Sequence, residues 1–256
     1  HPDDQTAWTE SMFGGMPTAT IHASTRGDWT QKIYDFLLLG RRPATYLFIS
    51  LLGAWLLMLA LGIHPLIAVG GAIAVTFCSY NLQIIQVGHN TKMQALAFLP
   101  WVLAALIFTY NQALSRHSGP QSSHSGLDPE SPSKAPWLPG TLLGAALFGL
   151  ALSFQVKANH PQITYYLAIL ILIYVIVLVV SLLVHRDAGS QSGMTTDSHS
   201  GLQSSHSGLD PESHPWGRFF AASALLLVLG VAGIATNAIK LLPTMEYTPY
   251  SMRGGS

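Results

Sequence analysis

An all-α fold, a polytopic transmembrane helical bundle of about six membrane helices, is what this sequence predicts. Three observations carry that expectation. Hydrophobic residues make up 49% of the 256 and charged residues only 9%, and the mean hydropathy is positive, a balance outside the usual globular range. The apolar residues gather into six runs, near 44–62, 65–80, 94–111, 139–156, 163–185 and 218–238, to be set against the roughly 17 to 25 residues that a helix needs to cross a bilayer. None of the six holds Asp, Glu, Lys or Arg within its apolar stretch, Arg218 standing at the edge of the last, and in lipid a helix satisfies its own backbone.

The elements follow in order. Residues 1–43 form a loop ahead of the first run, and within it "WTQKIYDFLLLGRRP" sets Ile33, Phe36, Leu37 and Leu38 beside charged neighbours, which suits a helix lying in the membrane interface. Pro43 marks the start of the first spanning helix. Residues 44–111 then hold three membrane helices, 139–185 two more and 218–239 the last, with 240–256 opening a further loop. The second and fourth runs are short and rich in glycine, so they are expected to tilt, to pack inside the bundle, or to span only in part. The single cysteine, Cys78, lies in an apolar run and reads as a small buried side chain.

The two long connections, 112–138 and 186–217, contain a repeat: "HSGPQSSHSGLDPES" at 117–131 and "HSGLQSSHSGLDPES" at 199–213 differ at one position. Ser, Gly, Pro and His dominate both copies, which lack any helical or strand period and cannot bury a core. The flanking runs do not resemble each other, so the repeat reads as an element inserted twice into tolerant loops. His117, His124, His199 and His206 raise metal binding as a rival, against which stands the absence of fixed geometry.

Six crossings sort the connections onto two faces. One carries the inserts and the turn "GIHP"; the other carries residues 1–43, "GHNTKM", "QVKANHPQ" at 155–162 and the tail from Lys240. Nearly all side chains capable of chemistry fall on that second, motif-bearing face: His89, Asn90 and Lys92 in one connection, Lys157, Asn159 and His160 in another. Polar groups at membrane depth are costly unless paired or hydrated, so such a cluster is a site hypothesis. Ordinary interfacial loops with snorkelling lysines are the alternative.

The segment "TAWTESMFGGMPTATI" reads as a loop folded over the bundle mouth, with Gly14 and Gly15 permitting unusual backbone and Trp8, Met12, Phe13 and Met16 as contact surface. Asp3, Asp4, Glu10 and Asp28 supply carboxylates at the membrane surface, where one can act as base toward an acceptor hydroxyl or simply be solvated. Twelve Lys and Arg balance twelve Asp and Glu, so no net field argues for nucleic acid.

"WTESMFGGMPT", "SYNLQIIQVGHNTKMQALAFLPWVL", "LSFQVKANHPQITYYL" and "TNAIKLLPTMEYTPYSMRGGS", in this order, resemble the YfhO family of bacterial membrane proteins, of the Bacteroidetes type. The resemblance covers most of the chain outside the inserts and implies a GT-C glycosyltransferase architecture in the bacterial inner membrane. Such enzymes pass a sugar from a polyprenyl-phosphate carrier to an acceptor on the extracytoplasmic side, here a cell-envelope polymer. It implies that Lys92 and Lys157 pair with the carrier phosphate, that His89, Asn90, Asn159 and His160 orient phosphate or sugar hydroxyls, and that Arg253 is a further contact.

In the family the key acids, an Asp followed by a Gln, are expected upstream of "SMFGGMP", so Asp3 and Asp4 are their only stand-ins here, Glu10 stands where relatives often have Asn, and the chain is expected to be a piece of a longer protein. GT-C enzymes differ in their use of a divalent metal, and no ligand set is evident in the motifs. The motif-bearing face holds eight basic residues (Arg26, Lys32, Arg41, Arg42, Lys92, Lys157, Lys240 and Arg253) against four on the other (Arg116, Lys134, Arg186 and Arg218). The positive-inside rule would put it in the cytoplasm, whereas the resemblance puts it outside, and cations recruited to phosphate need not report topology. A transporter or flippase for lipid-linked sugar and a non-catalytic envelope assembly subunit are the competing functions.

Overall fold

The computed structural model describes Trp8–Thr9, Met16–Pro17, Trp29–Leu38 and residues 43–114, 137–191 and 215–247. Among these the fold is helical, apart from a two-residue antiparallel pairing of β1 (Trp8–Thr9) with β2 (Met16–Pro17). Asp3, Asp4, Glu10, Asp28, Arg253 and both copies of the repeat lie outside the described residues.

A short helix, α1 (Trp29–Leu38), precedes α2 (Ala44–Ala60), which starts directly after Pro43. Gly62, at φ +81°, ends α2 in the left-handed conformation that glycine adopts at no steric cost. Pro65 then opens α3 (Pro65–Thr76) in the first helical turn, where a missing N–H costs nothing. The expected single run over 65–80 is two helices: α3 stops at Thr76, and α4 (Ser79–Gln86) departs at 41° to it. Asn81 holds the break by donating through Nδ2 to the carbonyls of Val75 and Thr76, each at 3.1 Å. Cys78 sits at this break and is exposed, not buried as its apolar run suggested.

Four longer helices follow. They are α5 (Asn90–Leu114), α6 (Trp137–Lys157), α7 (Pro161–Gln191) and α8 (Pro215–Ala235), with a terminal α9 (Ala238–Tyr247) where a loop was expected. Among the described residues four helices suffice by length and apolarity to cross a membrane, and a fifth if the bent α3–α4 pair counts as one span. The expectation of about six is met only in part, because α2, at 17 residues, stands at the lower limit of spanning length and the second run is interrupted. Helix α6 has 21 residues, rising about 30 Å at 1.5 Å per residue, which matches a hydrocarbon core.

Helix directions can be read from contacts. Trp101 Nε1 donates to the carbonyl of Ile49 at 2.8 Å and Asn111 Nδ2 to that of Ala60 at 2.8 Å, so α2 and α5 run parallel. Phe98 meets Phe154 at 5.3 Å while Gly144 abuts Thr109, so α5 and α6 are antiparallel. Gly149 abuts Leu229 and Asn237 Nδ2 donates to the carbonyl of Ser153 at 3.0 Å, so α6 and α8 are parallel again. The starts of α2, α5 and α7 therefore share one end of the bundle with the finishes of α4, α6 and α8.

Helices α5 and α6 form the centre, and packing divides along them into two main clusters. One gathers Leu106, Tyr110, Phe148, Leu152, Phe219 and Leu226. The other gathers Tyr34, Leu38, Tyr46, Ile49, Met93, Phe98 and Phe154 at the end where the motifs lie. Helix α7 is the outlier: its most apolar window is 6% buried, against 72% for α5. A helix apolar all round and left open is suited to lipid.

Candidate functional site

The two motif-bearing connections are shorter than the sequence suggested, because the helices run into them. Asn90, Thr91 and Lys92 form the first turn of α5, and Gln155, Val156 and Lys157 the last turn of α6. What remains of each loop is a single reversal built in the same way.

In the first reversal Gly88, at φ +78°, donates to the carbonyl of Ile85 and His89 N to that of Ile84, both at 3.0 Å. This pair of bonds closes a helix on a left-handed residue. The carbonyl of His89 then accepts from Met93 N at 3.0 Å, which starts α5. In the second, Asn159 takes the left-handed position at φ 50° and its N–H donates to the carbonyl of Val156 at 2.9 Å. His160 follows, its carbonyl accepting from Ile163 N at 3.1 Å and Thr164 N at 3.3 Å at the start of α7. Gly88-His89 and Asn159-His160 are thus equivalent in role: a left-handed helix stop followed by a histidine that begins the next helix. Asparagine tolerates that conformation better than other side-chain-bearing residues, which gives Asn159 a conformational reason to be there.

The two reversals are neighbours. Ala95, one turn into α5, packs with Ala158 and Ile163 in a small buried cluster that joins the start of α5 to the α6–α7 connection. The starts of α5 and α7 therefore lie side by side, and the first N–H groups of a helix carry partial positive charge.

The histidines differ in burial. His89 and Asn90 are exposed, whereas His160 is half-buried and its Nδ1 is buried without a hydrogen-bond partner among the described residues. Beneath it, Thr164 Oγ1 lies between Nε2 and Oε1 of Gln155, at 3.1 and 3.2 Å. Gln155 is fully buried. Ser153 Oγ and Thr236 Oγ1 continue the polar seam at 2.6 Å, and Asn237 Nδ2 donates to Thr236 Oγ1 at 3.2 Å.

The two lysines do not share surroundings. Lys92 is half-buried, its Nζ 5.2 Å from the centre of the Tyr80 ring. Lys157 is only 6% exposed; its Nζ donates to Thr30 Oγ1 at 3.1 Å and lies 5.7 Å from the centre of the Tyr34 ring. A buried ammonium needs such company, since burial without it is costly. Sequence reasoning did not find Thr30, Tyr34, Gln155 or Asn237 as parts of this end. For Thr30 and Tyr34 a signal existed: with Leu38 they recur every fourth residue, one face of a helix, and all three are buried. Of the apolar residues that suggested an interfacial helix, Leu38 is buried against the bundle while Phe36 is exposed.

Among the described residues no group of three or more His, Cys, Asp or Glu is placed to hold a metal ion. Comparison with protein-family models, with curated proteins and with solved structures finds no match to this chain.

Proposed function

We propose that this protein is a membrane glycosyltransferase that moves a sugar from a polyprenyl-phosphate carrier to a cell-envelope acceptor, in the inner membrane of a bacterium. One observation supports it most: the two left-handed-stop and histidine reversals lie together at one end of an apolar helical bundle. A lipid phosphate entering from the bilayer would meet two adjacent helix starts, which favour anions, beside Lys92. His89 and Asn90, both exposed, are available to sugar hydroxyls or phosphate oxygens. As the carrier phosphate leaves the sugar, cationic and N–H groups would stabilise its growing charge. Asp3 or Asp4 would serve as base for the acceptor, and Arg253 as a further phosphate contact, on the strength of the sequence motifs.

The test is sugar transfer from a polyprenyl-phosphate donor by the native protein in membrane vesicles. Lys92→Ala should lower transfer by about tenfold or more, as expected for losing a group that neutralises the leaving phosphate, with expression unchanged. Full activity in that variant would remove Lys92 from the reading.

A lipid-linked sugar flippase is the second reading, and the broken α3–α4 pair is what favours it. Interrupted helices in transporters expose backbone groups to a substrate or coupling ion, and here Thr76 Oγ1 is buried beside the break without a partner among the described residues. Carrier movement across the vesicle membrane without sugar transfer would select this reading over the first.

A further inference from the structure

The contact between Lys157 and α1 has a consequence for the proposed carrier site. Lys157 closes α6 at the motif-bearing end, on the same side as Lys92, yet its ammonium is covered. Among the described residues the cover is α1: Thr30 accepts the Nζ hydrogen bond at 3.1 Å, and the Tyr34 ring lies over Nζ at 5.7 Å. Thr30 is 0% exposed and Tyr34 3%, so both are held in the cluster rather than resting on its surface.

The attachment of α1 is confined to one face. Tyr34 packs on Phe98 and Phe154 with ring centres 6.1 and 5.9 Å away. Its hydroxyl is 3.4 Å from that of Tyr46, and Thr45 Oγ1 donates to the carbonyl of Leu38 at 2.9 Å. Away from that face lie Lys32, Asp35 and Phe36, all exposed, with Phe36 at 74%, while Leu37, three residues from Tyr34, borders the packed face. A ten-residue helix with one packed face and an outer face of mixed apolar and charged groups is suited to either of two resting places: the bundle end, or the membrane interface.

We propose that α1 is a strap that hides Lys157, and that lifting it into the interface exposes the ammonium to a lipid phosphate. The proposal rests on the carrier reading above and adds regulation to it: Lys92 is the cation that meets the headgroup with the strap down, and Lys157 is added when it lifts.

The experiment follows the reactivity of each lysine in the native protein, held in phosphatidylcholine nanodiscs and treated briefly with a water-soluble amine-acetylating reagent, by peptide mass spectrometry. Lys32 on the outer face of α1 is the internal reference. Lys157 should react about tenfold or more slowly than Lys32, as local protection by packing predicts. Tyr34→Ala should bring the two rates together, and Thr30→Val, which keeps the size of the side chain, should move them in the same direction if Tyr34→Ala does not fold.

In the released protein, polyprenyl phosphate in the nanodisc should slow Lys157 again, and inorganic phosphate should not. Equal reactivity of Lys157 and Lys32 without any substitution would overturn the strap. So would a released Lys157 that neither phosphate protects, since α1 would then be a fastening and nothing more. Protection by inorganic phosphate as well would overturn the lipid source of the anion. The carrier reading fails separately, if polyprenyl phosphate leaves the reactivity of Lys92 unchanged.

Discussion

Lys157 Nζ and Thr30 Oγ1 meet at 3.1 Å across 127 residues of chain, both buried. The bond ties the end of α6 to α1, and through Tyr34 to the aromatic cluster of Phe98 and Phe154. A hydrogen bond to a charged group contributes about 1.5–3 kcal/mol. Thr30→Val should therefore raise amide exchange across Trp29–Leu38 by about tenfold or more, with α5 and α6 unchanged. Exchange mass spectrometry reads this directly, and an unaltered α1 would show that the bond contributes nothing to its docking.

Asn159 and Gly88 hold equivalent left-handed positions, at φ 50° and 78°. Asn159→Gly should leave thermal stability unchanged or slightly higher, while Asn159→Ala and Gly88→Ala should each cost about 1 kcal/mol. Unfolding in detergent gives the stability. Loss of sugar transfer in a stable Asn159→Gly variant would show that the side chain acts on substrate as well as on the backbone.

The parallel pair α6 and α8 touches through backbone. A Cβ on Gly233 would run into the carbonyl of Gly149, and one on Gly149 into that of Leu229. Gly233→Ala and Gly149→Ala should each destabilise by about 1–3 kcal/mol through overpacking. Gly70→Ala, where nothing lies within 4 Å, should be neutral or stabilising, since alanine favours a helix by about 1 kcal/mol over glycine. Equal melting temperatures for all three would mean that α6 and α8 are not in close contact.

Orientation follows from single cysteines at exposed positions on opposite ends. Cys78 is itself exposed, so it must first be replaced by alanine. Thr91→Cys, in the first turn of α5, should then react with an impermeant maleimide on intact cells, and His64→Cys, between α2 and α3, should not. The reverse pattern would put the motif-bearing end in the cytoplasm, as the basic-residue count suggests, and the glycosyltransferase reading would fall with it.

Much of the local structure was legible in the residues. Pro43 and Pro65 stand at helix starts, and of the three placements left open for the glycine-rich fourth run α6 takes the packed one, with Gly144 and Gly149 against neighbouring helices. The break at Phe77–Cys78 was hidden because hydropathy does not register direction, although Ser79, Asn81 and Gln83 mark a more polar flank after it. The loops around His89 and His160 looked longer than they are because polar side chains were read as loop, although Asn90 and Lys92 are compatible with the first turn of a helix.

The sequence by itself determined that this is a helical protein with several helices of membrane-spanning length and apolarity, and which polar residues gather between them. Those properties are local, set by hydropathy and by the conformations open to proline, glycine and asparagine. Only the tertiary structure decided that Lys92 and Lys157, alike in the sequence, differ in surroundings. An ammonium's neighbours depend on which distant helix packs over it, and Thr30 reaches Lys157 only once α1, α5 and α6 share one aromatic cluster.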